Sequence, residues 1–355
     1  MIESKADDLF ISLGAYPALK IGKDIVRLEE EVVTIEMLQE FGKNLLSNEQ
    51  AQIFSREKEL DFTYGLEGVG RFRVNYFVQR GSDAIVIHNI PTKIETLEEL
   101  GLPERLNKIA LQDRGLVLIV GSAGSGKSTT LASLIDHRNR NKTGHILTLE
   151  DPIEFLHHHK KSIVNQREIG QDSFSFKRAL KSALREYPSA LLMGEIRDME
   201  SIATAVNFAE TGHLVLSTMH ATNTKFAVER IFNIYGPELH EIARHQLSEN
   251  INAIIAQRLV PTKSGKQIPA LEILFTSARI KDLIKKGATN LLPRAIEFSK
   301  VEGMQSFDQC LFQYYKDGII TPETAIKYSD HKTDLTMSIK AEGWVGKEHE
   351  IQLDI

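Results

Sequence analysis

The residues best placed to do chemistry lie in "LVLIVGSAGSGKSTTLASLI", residues 116 to 135. Gly121 to Ser128 reads GSAGSGKS, two glycines, a lysine and a hydroxyl at the spacing of a phosphate-binding loop. An apolar strand pattern precedes it and a helical pattern follows, which is the context this chemistry requires. Gly121, Ser122, Ala123, Gly124 and Ser125 form the loop, and Gly124 and Gly126 let backbone amides turn inward around phosphates. Lys127 reaches the β and γ phosphates, Ser128 ligates Mg²⁺, and Thr129 completes the run. The expected cofactors are therefore ATP and Mg²⁺.

In an open parallel sheet a ligand sits beyond the carboxyl ends of the strands, so the polar residues there come next. "HILTLEDPIEF" delivers Glu150, Asp151 and Glu154; "ALLMGEIRD" delivers Glu195; "LVLSTMHATNT" delivers Thr218 and His220. Glu195 directly follows an apolar strand, the position for an acid that holds Mg²⁺ through water. Glu154 is the candidate for orienting or deprotonating the attacking water, with a surface acid as the competing reading. Capping competes with catalysis for Asp151, before Pro152, and for Asp198, where the next helix starts.

His213 and His220 frame one strand and lie roughly 23 Å apart if it is extended. They cannot share one phosphate. His220, at the carboxyl end, is the candidate phosphate sensor, and His213 is assigned to structure or to a neighbouring surface. The run His157, His158, His159 reads as a solvated loop, because consecutive side chains diverge and no acid completes a metal set.

The elements that position these residues follow from periodicity. From about residue 98 apolar strands alternate with helical segments, which predicts an α/β fold with a largely parallel sheet and helices on both faces. Before it, "RFRVNYFV" alternates Arg71, Arg73 and Asn75 with Phe72, Val74 and Tyr76, a strand with one buried face. Residues 79 to 83 form a turn that includes Arg80, and "AIVIH" returns, giving a small α+β domain with a β-hairpin. The polar, proline-led stretch 91 to 98 suits a linker. The expected domains are 1–95, 96–276 and 277–355. The last holds short helices capped by Ser306 and Thr321, with a mobile charged tail from about 331.

The chain has 355 residues, with 43 Lys and Arg against 48 Asp and Glu, a net charge of −5. That balance disfavours nucleic acid as a partner. The single cysteine, Cys310, excludes an internal disulfide and a four-cysteine zinc site and fits a reducing cytoplasm. The amino terminus lacks the pattern of a secretory signal, and the longest apolar runs are far short of the roughly 18 to 20 residues of a membrane helix.

These motifs together resemble the secretion ATPase superfamily, specifically the PilT/PilU-type retraction motors of type IV pili. "GSAGSGKSTTLA" is similar to the family's phosphate loop, "LTLEDPIEF" to its acidic box, "LREYPSALLMGEIRD" to its Walker B region and "AETGHLVLSTMHATNT" to its histidine box. "FLHHHKKSIVNQREIGQD" leans towards the PilU side. The resemblance implies a PAS-like N-terminal domain joined to a RecA-like P-loop ATPase domain with C-terminal helices. It implies a cytoplasmic homohexameric ring, peripheral at the inner membrane, whose partners are a pilus platform protein and, as an option, a second retraction ATPase. It also implies that arginines of the N-terminal hairpin, here Arg71, Arg73 and Arg80, approach the nucleotide as domains close, against a reading of each as a solvated charge.

The sequence departs from the family at three places. Ser189 replaces an aspartate near the start of its strand, His88 replaces an arginine, and Lys286 takes a glutamate position in the basic segment "ARIKDLIKKGA". The last of these sets an accessory ring subunit beside the retraction motor as an alternative. An extension or secretion ATPase is disfavoured by the missing zinc cysteines.

Overall fold

The computed structural model describes residues 1–344 except 5, 23, 29, 30, 67 and 92. Its contacts fall into two units, Met1–Lys93 with Pro152–His157, and Ile94–Asp151 with His158–Ile355.

The first unit runs β1 (Asp8–Ser12), β2 (Ala18–Ile21), β3 (Asp24–Arg27), α1 (Ile35–Leu45), α2 (Asn48–Glu57), β4 (Glu59–Leu66), β5 (Gly70–Gln79) and β6 (Ser82–Ile90). The strands form one antiparallel sheet in the order β3-β2-β1-β6-β5-β4. The helices start on Thr34 and Ser47, whose side chains accept from Met37 and Gln50 amides, the usual rescue of unpaired helix-start donors. The alternation in β5 is borne out: Phe72, Val74 and Tyr76 are buried and Arg73 is exposed. The predicted turn is a two-residue hairpin loop in which Gln79 pairs with Ser82. Arg80 and Gly81 both have positive φ, 50° and 81°, the geometry that matches strand twist in tight hairpins.

The second unit contains α3 (Arg105–Ala110), β7 (Gly115–Val120), α4 (Lys127–Asn141), β8 (Gly144–Glu150), β9 (Ser162–Glu168), α5 (Phe176–Ala183) and β10 (Ala190–Glu195). It continues with α6 (Met199–Glu210), β11 (Leu214–Met219), α7 (Thr224–Tyr235), α8 (His240–Asn250), β12 (Ile251–Pro261) and β13 (Gln267–Phe275). Five further helices follow: α9 (Ala278–Lys286), α10 (Leu292–Phe298), α11 (Phe307–Lys316), α12 (Pro322–Tyr328) and α13 (Lys332–Ala341). The sheet order is β13-β12-β7-β11-β10-β8-β9, parallel throughout except for β13.

Helices cover both faces of this sheet, as the alternation predicts. Along β7 every residue is buried, but Leu116, Leu118 and Val120 feed one core while Val117 and Ile119 feed another. The first core takes apolar residues from α5 to α8, the second from α3 and α4. A strand buried on both faces has no polar alternation, which is why it reads as the run "LVLIV".

Ser306 and Thr321 cap α11 and α12 as expected. The tail does not start at 331, however. Residues 332–341 form α13, which buries Leu335 and Ile339, and Asp308 accepts from the amides of Asp330 and His331 just before it. Two apolar residues one turn apart are too weak a pattern to stand out among charges. The rest of the expected tail, 345–355, lies outside the described residues. Among the described residues no helix is long and apolar enough to cross a membrane.

Candidate active site

The loop after β7 is shaped by close backbone approach. Gly124 and Gly126 have φ of 71° and 83°, and Gly126 is the N-cap of α4, so the loop turns directly into a helix N-terminus. A side chain at Gly121 would meet the Gln257 carbonyl at 2.5 Å. Lys127 is buried and donates to the Gly121 and Ser122 carbonyls at 3.0 and 2.7 Å, folding its ammonium over the loop. Ser122, Ala123 and Gly124 are exposed, Ser125 is buried, and Ser128 and Thr129 are half-buried on the first turn of α4.

A cavity of ≈ 460 Å³ opens on this loop, lined by Ser122 to Ser125, Thr222, Gln257, Arg258, Leu259, Gln267 and Tyr328. The exposed loop residues Ser122 to Gly124 line it at a helix start, with the Lys127 ammonium and Ser128 hydroxyl next in the chain, a set that fits the phosphates of a nucleotide, and the volume suits one. The Ser128 hydroxyl and, through water, the Glu195 carboxylate are the groups that would hold a Mg²⁺ at such a site. No cluster of three metal-ligating His, Cys, Asp or Glu exists among the described residues, and this kind of site needs none.

Two consecutive residues that sequence reasoning passed over tie down the loop and its surroundings. Gln257 of β12 donates to the Ser125 carbonyl at 2.7 Å and accepts from Thr130 at 2.8 Å. Its neighbour Arg258 lies 3.9 Å from the centre of the Phe307 ring. Arg258 also donates to the Tyr328 and Thr222 carbonyls at 2.9 and 3.3 Å and pairs with Asp330 at 2.6 Å. A Gln-Arg pair interrupting the apolar run "INAIIAQRLVP" is the signal that could have exposed them, since buried polar groups need partners.

Glu195 and His220 are brought together. The parallel strands β10 and β11 slip register at Gly194, so that Met193 faces Ser217 but Glu195 faces Thr218. The Thr218 hydroxyl fixes this bulge by donating to the Gly194 carbonyl at 2.7 Å. Glu195, only 16% exposed, then meets His220 Nε2 at 3.4 Å and Arg197 Nε at 2.8 Å. Arg197 was not anticipated, although it stands two residues after the acid. The Arg197 side chain is largely exposed and the His220 imidazole half-exposed, so neither Glu195 partner is locked in by packing.

The ambiguous residues divide. Asp198 is the N-cap of α6 in a reciprocal pair with Ser201, and the Ser201 amide holds its carboxyl below the usual range. Asp151 is exposed after β8, and the Glu150 carboxylate accepts from Gln166 at 3.2 Å. His213 donates from Nδ1 to the Phe208 carbonyl at 3.1 Å and stands edge-on to the Phe208 ring at 5.4 Å, the structural one of the two roles expected for it. In the histidine run, His159 accepts from the Val164 amide at 3.1 Å and the His158 carbonyl accepts from Asn139 at 2.7 Å.

The remaining candidates belong to the first unit. Arg71 donates to Thr63 at 2.8 Å, Arg73 lies 4.0 Å from Asp61, and Arg80 is exposed at the hairpin tip. Glu154 is exposed in the segment Pro152–His157. His88 bonds Asp8 at 2.7 Å and Lys20 bonds it at 3.0 Å. Burial alone would raise the Asp8 carboxyl, but these bonds outweigh it and hold it below the usual range. Ser189 donates its hydroxyl to the His145 carbonyl at 3.1 Å at the amino end of β10, away from the loop end of the strand.

The type II/IV secretion system protein family model matches residues 65–310. The chain is 43% identical over 341 residues to the type IV pilus ATPase PilU of Pseudomonas aeruginosa, covering 96% of this chain and 89% of that protein. It is 39% identical over 320 residues to the type IV pilus retraction ATPase PilT of the same organism, covering 90% and 93%. A crystal structure of the pilus retraction motor PilT with bound ADP superposes with a TM-score of 0.87 at 39% identity, covering 94% of this chain and 96% of that one.

Proposed function

The chain belongs to the type II/IV secretion system protein family, and from that premise we propose that it is a Mg²⁺-dependent ATPase driving retraction of a type IV pilus. What carries the reading is that the phosphate loop, His220 and Glu195 stand at the carboxyl ends of the neighbouring strands β7, β11 and β10, in a chain similar to pilus motors over nearly its whole length.

In this proposal the amides of Gly121 to Gly126, with Lys127 and Thr129, bind the phosphates of ATP. Lys127 exchanges its two loop carbonyls for phosphate oxygens, a switch from neutral to charge-assisted bonds. Ser128 and Glu195, the latter through water, hold Mg²⁺, which would supply charge neutralisation at the phosphates. His220, leaning on Glu195, orients its imidazole towards the phosphate end. Glu154 takes the role of acceptor for the attacking water's proton, and Arg71, Arg73 and Arg80 supply positive charge as domains close.

The proposed domains are 1–95, PAS-like; 96–276, RecA-like; and 277–355, helical. The proposed assembly is a cytoplasmic homohexamer at the inner membrane, working on a pilus platform protein and with a second retraction ATPase as an optional partner.

Deleting the gene and complementing with wild type or Lys127→Ala tests the reading, scored for surface pili and their retraction. Pili that accumulate without retracting in the Lys127→Ala strain support it. Loss of pili would assign an extension role, and full retraction would leave only an accessory role that needs no hydrolysis.

A further inference from the structure

We infer that a second cavity, walled by α3, β13 and α11, binds a small oxyanion of the phosphate or carboxylate class. The cavity measures ≈ 220 Å³, and among its described lining residues there are two cations, Arg105 and Lys300, and no acid.

The argument starts from how this protein treats its other buried arginines. Arg138 donates to the carbonyls of Ala110, Gln112 and Ser189, and Arg258 has Asp330 and two carbonyls. Arg105 is half-buried, yet among the described residues the only bond recorded for its guanidinium is to the neutral amide oxygen of Gln305. No carboxylate among the described residues pairs with it, whereas Arg138 and Arg258 each have three partners. Gln305 is itself held, donating to the Leu271 carbonyl at 3.0 Å, so the guanidinium is clamped in place.

A charge taken partly out of water and left without a counter-charge is costly, and an anion in the cavity repays that cost. Burial accordingly lowers the Arg105 pKa, and the neighbouring buried Cys310 thiol is pushed up, so it stays neutral and offers no counter-charge. Lys300 is exposed and adds a second positive charge where the ligand enters. The volume lies below the roughly 300 Å³ at which sites for drug-sized ligands begin, which excludes a nucleotide. The phosphate or carboxylate of a small metabolite fits both charge and size. This inference stands apart from the ATPase reading and shares no residue with it.

Thermal unfolding of the full chain against inorganic phosphate, and separately acetate, at ionic strength fixed with chloride, tests it. Lys127→Ala is used as the background so that the phosphate loop contributes least. A saturable rise in Tm with phosphate or acetate is expected, and which one acts identifies the ligand class. In that background Arg105→Gln is expected to weaken the apparent affinity about tenfold, and Lys300→Gln about threefold. No saturable response to either probe would overturn the inference. So would an unchanged affinity in Lys300→Gln, a surface substitution that decides the matter alone if Arg105→Gln fails to fold.

Discussion

The two ends of β11 carry one histidine each, and they are used in opposite ways. At the amino end His213 is tied to the Phe208 carbonyl and packed on its ring. At the carboxyl end the His220 side chain is 46% exposed and meets the Glu195 carboxylate at 3.4 Å. The contrast extends along the sheet. At the amino ends of β7 and β10, buried Arg138 ties down three carbonyls; at the carboxyl ends Lys127 and Glu195 rest on partners they can exchange. The polar side chains at one end are tied to backbone carbonyls, and those at the other are left able to meet a ligand.

The sharpest way to test this division is to remove its exchangeable end. Lys127→Ala and Glu195→Ala are each expected to lower Mg²⁺-dependent ATP turnover by about 100-fold or more, with the fold intact by circular dichroism. Turnover equal to wild type in both would end the enzyme reading. At the other end Arg138→Leu strands three carbonyls, and chemical denaturation should show a loss of about 3 kcal/mol, with turnover per folded molecule retained.

Between these extremes His220→Ala should reduce turnover about tenfold while nucleotide affinity, read by fluorescent ADP titration, stays within about twofold. His213→Ala should do the reverse, costing about 1 kcal/mol of stability and leaving turnover unchanged. If the two histidine variants behaved alike, the division between strand ends would fail.

The smallest effect concerns pH and lies away from the sheet. Burial lowers the His331 pKa, but the Asp308 carboxylate at 3.1 Å outweighs it and raises it above the usual value. A raised histidine pKa adds stability that is fully present below about pH 6.5 and is lost as pH rises through the folded-state value. His331→Gln should therefore lower Tm by a degree or so at pH 6 and not at pH 9. A gap of equal size at both pH values would show that the pair does not titrate with folding.

The sequence reveals more of the site's chemistry than of its supports. The phosphate loop, Glu195, His220 and the hairpin at Arg80 are legible because each depends on local spacing beside a strand. Gln257 is not, because it braces a loop more than a hundred residues earlier in the chain, and only strand order places β12 beside β7. The slip at Gly194 that turns Glu195 towards His220 is likewise invisible, since it comes from a hydroxyl on the adjacent strand. Asp198 shows the limit of residue type alone: an acid after a strand is equally a cap, and the capping bonds decide it.

Gln257 and Arg258 are consecutive residues of one strand, so their side chains leave it on opposite sides. One is fastened to the phosphate loop and the other to α11 and the end of α12, which makes a single peptide unit the common footing of the pocket floor and the C-terminal helices. The loop and the C-terminal helices therefore share one anchorage, and a break in the strand at this point would loosen both at once.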